Sequence, residues 1–149
     1  MIHKLTRTTY YIRNSLVFGA SLLLASCNTS VLPTPPLAKV GDTLISVSVK
    51  AKGRQLLPGG SRVIVVLADI SNPARAPVAL GGDSIPMSQE DREVRITFPA
   101  DIKAMRKCKI RGKCGMVVQV VKNSYVVFSN RKPVPFRLGQ KNTIVRVEG

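Results

Sequence analysis

The chain has one histidine in 149 residues, and it is the third of them, His3. Tryptophan is absent, the aromatics together make up 5%, and eight acids stand against 23 lysines and arginines. Each scarcity removes a class of chemistry. If the first residues are cleaved away, no imidazole remains. Ser-His-Asp catalysis, Cys-His catalysis and most catalytic zinc sites then have no base or ligand to use. Glu90, Asp91 and Glu93 form the one acidic cluster. A carboxylate pair could serve hydrolysis there, but the polar stretch around it reads as a solvated turn. No Gly-rich phosphate loop is present, and Gly59-Gly60 and Gly81-Gly82 read as turns. The expectation is a protein that is not an enzyme and holds no metal.

A targeting pattern opens the chain. Lys4, Arg7 and Arg13 precede an apolar run, SLVFGASLLLA, from Ser15 to Ala25. That run is long enough for a signal-peptide core and short of the roughly 20 apolar residues that span a bilayer. It ends in Leu24-Ala25-Ser26-Cys27. This order resembles the lipobox of bacterial lipoproteins, an aliphatic residue and two small residues before a cysteine. The resemblance implies cleavage after residue 26 and a covalent lipid on Cys27, which is the only prosthetic group expected. Asn28 and Thr29 follow, and they lack the aspartate that by analogy retains such proteins in the inner membrane. The expected location is therefore the periplasmic face of the outer membrane. Several acyl chains on one terminus anchor firmly, since each buried CH₂ contributes about 0.8 kcal/mol.

Three regions follow: a signal at 1–26, a lipidated tether at 27–42 containing Pro33, Pro35 and Pro36, and a domain at 43–149. The 123 residues left after cleavage suffice for one domain with a single core. Twenty of the 23 cations remain against the eight acids. Export removes nucleic acid as a partner for such a basic chain. Anionic lipid, peptidoglycan or an acidic protein surface are the remaining counterparts.

With Cys27 taken by lipid, Cys108 and Cys114 form an even pair in an oxidising compartment, and a disulfide is expected. Closing about seven residues contributes roughly 2.4 kcal/mol by loop entropy. The clasp would hold a loop of mutually repelling cations: Lys103, Arg106, Lys107, Lys109, Arg111 and Lys113.

The body alternates with period two in short runs cut by turn residues. Strands are predicted at Thr43–Lys50, Arg62–Ile70, Val78–Leu80, Glu93–Phe98, Met116–Val121, Tyr125–Ser129, Val134–Leu138 and Thr143–Val147. Turns are predicted at Pro58-Gly59-Gly60, Gly81-Gly82-Asp83, Lys122-Asn123-Ser124 and Gly139-Gln140-Lys141-Asn142. Seven or eight short strands without a long helix point to an all-β fold, a single antiparallel β-sandwich or a small barrel. A three-residue turn would place Val121 opposite Tyr125. Met116, Val118, Val120, Val126 and Phe128 then face the core. Val117, Gln119, Val121, Tyr125 and Val127 form the other face, which is also largely apolar. Either another element covers that face or it is a binding patch.

The stretch Gly53 to Val78, GRQLLPGGSRVIVVLADISNPARAPV, resembles the signature of the type III secretion lipoprotein chaperones, or pilotins, and their YbaY-like relatives. Leu57-Pro58-Gly59-Gly60 stands where that family has "leu-pro-pro-gly". Leu67-Ala68-Asp69-Ile70-Ser71 stands for its "leu-x-asp-val-ser". Glu93–Pro99 and Val118–Thr143 resemble its later strands. The basic Cys108–Cys114 loop is a departure. The resemblance implies an outer-membrane lipoprotein that grips the C-terminal segment of a secretin, with the lipoprotein sorting machinery carrying both to the outer membrane. It does not supply the gripping surface. The residues suggest two candidates: Val117, Val121, Tyr125 and Val127, or the edge Val78–Leu80. The alternative is a general envelope lipoprotein of the same fold that binds another envelope component.

Overall fold

Successive side chains of a strand point to opposite faces, so alternation decides what is buried. In β1 (Thr43–Ala51), Ile45, Val47 and Val49 are buried, while Ser46 shares a hydrogen bond with Thr97 at 3.0 Å on the other face. The computed structural model describes Leu32 and residues 43–149. The signal at 1–26, Cys27, Asn28, Thr29 and the tether therefore lie outside the described residues, Leu32 excepted.

Further elements are β2 (Ser61–Asp69), β3 (Val78–Met87), β4 (Glu93–Ala100), a 3-10 helix (Ala104–Lys109), β5 (Cys114–Lys122), β6 (Tyr125–Ser129), β7 (Val134–Pro135) and β8 (Thr143–Val147). The all-β expectation holds. The strands form one sheet in the order β6-β5-β2-β3-β4-β1-β8, with β7 beside β5. Every pair is antiparallel except β1 with β8. β3 meets β4 at one register position, Gly81 opposite Ala100. At the far edges, Ser129 and Glu148 exchange two backbone hydrogen bonds of 3.0 Å. The sheet thus curls onto itself and is close to a barrel.

The inward faces pack together. Val63, Val65 and Leu67 from β2 join Met116, Val118 and Val120 from β5, with Val47, Ile96, Phe98, Val145 and Val147 from the other half. Met105, Phe136 and the disulfide belong to the same cluster, as does Leu57. Leu57 is held by paired backbone bonds to Asp91 of 2.7 and 3.2 Å. Each fully buried aliphatic or aromatic side chain contributes about 1.5–3 kcal/mol, so truncating the fully buried Phe98 costs about 3–5 kcal/mol.

Four local expectations need correction. Gly81-Gly82-Asp83 is no turn: all three lie inside the ten-residue β3. The glycine serves close approach, since a Cβ on Gly81 would sit 2.6 Å from the Ala100 Cβ. Val78–Leu80 is accordingly the start of a long strand, with Leu80 buried and Val78 62% exposed.

The β5–β6 connection is the second. It is a two-residue turn, Asn123-Ser124, with φ of 51° and 67°. Paired positive-φ residues suit the twist of a tight hairpin. Lys122, not Val121, lies opposite Tyr125, and a bulge after Val120 sets Val121 against Val126. Val126 is therefore 49% exposed and Val127 packs against the core, the reverse of the expected faces.

The third is the predicted Val134–Leu138 strand, which ends at Pro135. Pro133 and Pro135 cannot donate to a ladder, and Phe136 instead turns into the core, its amide bonded to the Cys114 carbonyl at 3.0 Å. The last is the parallel β1–β8 pair, where all pairs were expected antiparallel.

Candidate functional site

β2 carries no polar alternate between Val63 and Ala68, so both its faces are apolar. One face fills the core. The other lies between β3 and β5 in cross-strand rows. Pro86, Arg62, Val121 and Val126 form one row; Ser84, Ile64, Gln119 and Ser129 form the next; Gly82, Val66 and Val117 form the third. Val66 and Gln119 are buried, and Ile64, Val117 and Val121 are half-buried. The middle of this face is thus covered, whereas its end at the hairpin is open. There an open cleft of about 410 Å³ is lined by Arg62, Pro86, Met87, Val121, Asn123 and Ser124. On β6, Val126, 49% exposed, lies opposite Val121 on this face, and Tyr125, 76% exposed, alternates to the other one. Arg62 donates to the Ser84 hydroxyl at 3.1 Å, which holds the guanidinium along the strand.

The four residues first suggested for binding do not form one surface. Val117 and Val121 share the outer face, Tyr125 is at the hairpin end, and Val127 belongs to the core. The second suggestion divides too, since Leu80 is buried. The cleft residues Arg62 and Pro86, and Val126 beside Val121, were not among the suggested residues, nor was the apolar outer face of β2 at Ile64 and Val66. The unbroken apolar run of β2 was the available signal for the last two.

The second surface is the disulfide loop. Cys108 and Cys114 are bonded, with Cα atoms 5.1 Å apart, and both are fully buried. The Asp101 carboxylate accepts the Lys103 and Ala104 amides at 2.8 and 3.3 Å and starts the 3-10 helix. Arg106, Lys107 and Lys109 fall in its last turn, where cations suit the exposed carbonyls. All six predicted loop cations are exposed. Lys107 reaches back to Asp69 at 2.8 Å. That ammonium, with the Ser71 hydroxyl and amide, lowers the Asp69 carboxyl from 3.8 to about 2.

At the opposite end of the barrel, three ion pairs form. Lys50 bonds Glu93 at 2.9 Å, and Lys52 and Arg131 hold Glu148 at 2.6 and 2.7 Å. Glu93 is held below the usual carboxylate range chiefly by Lys50, and Glu148 chiefly by Lys52 and then Arg131. The acidic cluster around Glu90 is exposed surface apart from Glu93, which this ion pair engages. Among the described residues no group of three His, Cys, Asp or Glu is placed to hold a metal ion.

Comparison with family models and with curated proteins gives no match. A solved structure, an alternative pilotin from the type II secretion system of Vibrio cholerae, superposes with a TM-score of 0.55 at 15% identity, over 71% of this chain and 93% of that one. The fold is pilotin-like. At that identity the likeness is one of fold.

Proposed function

We propose that this protein is a pilotin, a lipid-anchored chaperone that grips a secretin subunit and brings it to the outer membrane. The likeness in fold to an alternative pilotin carries the proposal. The lipobox ending at Cys27 and the resemblance over Gly53–Val78 support it from the sequence. In this scheme Cys27 takes the lipid, and Asn28 and Thr29 let the sorting machinery release the protein to the outer membrane. The secretin's C-terminal segment docks at the open end of the outer face. An amphipathic helix could lay its apolar residues against Val121 and Val126 and fill the cleft beside them. Arg62 in the cleft suits a segment with an acid next to its apolar anchors. The assignment to a type III system is the finer part, and it rests on the sequence resemblance.

Affinity capture of the tagged protein from its host's membranes tests this, with bound partners identified by mass. Recovery of a secretin subunit is the expected result. Recovery of wall fragments, or of nothing, would shift the assignment to a general envelope lipoprotein. Cys27→Ser tests the anchor separately: the protein should leave the membrane fraction for the soluble periplasm.

A further inference from the structure

We infer that the end of the barrel bearing the disulfide loop is a docking surface for a bilayer rich in anionic phospholipid. The domain would then lie with that end against the membrane and the hairpin end away from it.

Topology brings the relevant residues together. β1 begins at Thr43, opposite Ala100. Ala100 is followed directly by the loop that runs to Cys114. Cys114 in turn lies opposite Asp69, and Asp69 opposite Val78. One end of the barrel thus collects the start of β1, the basic loop and the start of β3.

Two kinds of side chain are exposed there. Lys103, Arg106, Lys109, Arg111 and Lys113 supply positive charge beyond the Lys107–Asp69 pair. Ile102 and Ile110 flank the 3-10 helix at 48% and 55% exposure, and Leu44 is 71% exposed on the first strand. Isoleucines set among lysines and arginines match the boundary between lipid phosphates and acyl chains. A polar wall polymer would satisfy the cations and leave the isoleucines in water. The disulfide fixes the loop's shape, so little order has to be gained on docking.

The chain's direction agrees, and this support depends on the lipid-anchor part of the proposed function. Residues 28–42 lead from the expected lipid into Thr43, at this same end. Fully extended they reach at most about 50 Å, so the cationic end stays within reach of the headgroups.

The chain lacks tryptophan, which makes the test direct. Ile110→Trp and, at the opposite end, Leu56→Trp are each placed in the full chain. They are mixed with vesicles of phosphatidylethanolamine and phosphatidylglycerol, or of phosphatidylcholine alone. With the anionic vesicles, Ile110→Trp emission should move to shorter wavelength and be quenched by brominated acyl chains, while Leu56→Trp stays unchanged. Replacing Lys109, Arg111 and Lys113 by Gln should weaken docking by roughly 100-fold, at about 1 kcal/mol per cation. No shift at Ile110→Trp on anionic vesicles overturns the inference, as does an equal shift on phosphatidylcholine or at Leu56→Trp. Flotation with phosphatidylcholine vesicles reports the anchor alone, so loss of the anchor and loss of docking are read separately.

Discussion

The Lys107 ammonium sits 2.8 Å from the Asp69 carboxylate and ties the 3-10 helix to the end of β2. Asp69 titrates at about 2 instead of 3.8 because of that partner and Ser71. A carboxyl lowered in the folded state stabilises the fold above its unfolded value, and the effect is lost as pH falls through the folded value. Lys107→Gln should therefore destabilise the domain on the order of 1 kcal/mol near neutral pH, since the lysine is largely exposed. The gap from the parent protein should hold down to pH 3.8 and close toward pH 2. Urea unfolding at several pH values measures this. A gap that widens with acidification would assign Lys107 another role.

Cys108 and Cys114 are both fully buried, so their bond also closes one end of the core. The double change to Ala should cost about 2.4 kcal/mol from loop entropy alone, with cavity losses added. Unfolding of the parent with and without reductant should differ by a similar amount. Equal midpoints would show that the clasp contributes nothing.

Gly81→Ala places a methyl 2.6 Å from the Ala100 Cβ and 2.9 Å from the Ala100 Cα, where backbone leaves little room. Overpacking of this kind costs about 1–3 kcal/mol. The melting temperature should fall by several degrees. An unchanged value would mean that β3 and β4 separate easily.

Tyr125→Asp and Val126→Asp change exposed side chains at the hairpin end. Each should weaken capture of a secretin subunit by about tenfold or more, equal to about 1.4 kcal/mol, with the unfolding midpoint unchanged. Val127→Asp is the contrast, because that residue packs on the core. It should unfold the domain. If all three lose binding and fold together, the hairpin end is structural.

What could be read from residues was local. β1 and β2 were legible because Ile45, Val47 and Val49 alternate strictly and the run from Val63 is unbroken. The cysteines were legible because two remained once Cys27 was assigned to a lipid by its resemblance to a lipobox. The middle of β3 was not. Gly81 and Gly82 look like turn residues, yet Gly81 is there for its lack of a side chain against Ala100. The hairpin was misjudged by one residue, and in a strand one residue exchanges the faces, which moved Val126 outward and Val127 inward. The buried middle of the outer face, at Val66 and Gln119, depends on contacts between distant segments, which no local pattern encodes.

The pairing of β1 with β8 sets an order of events for a chain that is made amino end first. Lys52 and its partner Glu148 are 96 residues apart, and the Ser129–Glu148 bridge closes the sheet with almost the final residue. The first strand therefore waits, paired with β4 on one side only, until β8 has been made. Such distant contacts fold slowly, so this seam of the barrel is the last to close. Pulsed hydrogen exchange during refolding should find β1–β8 amides protected after those of β2 and β5, and the reverse sequence would argue for a nucleus at the chain's two ends.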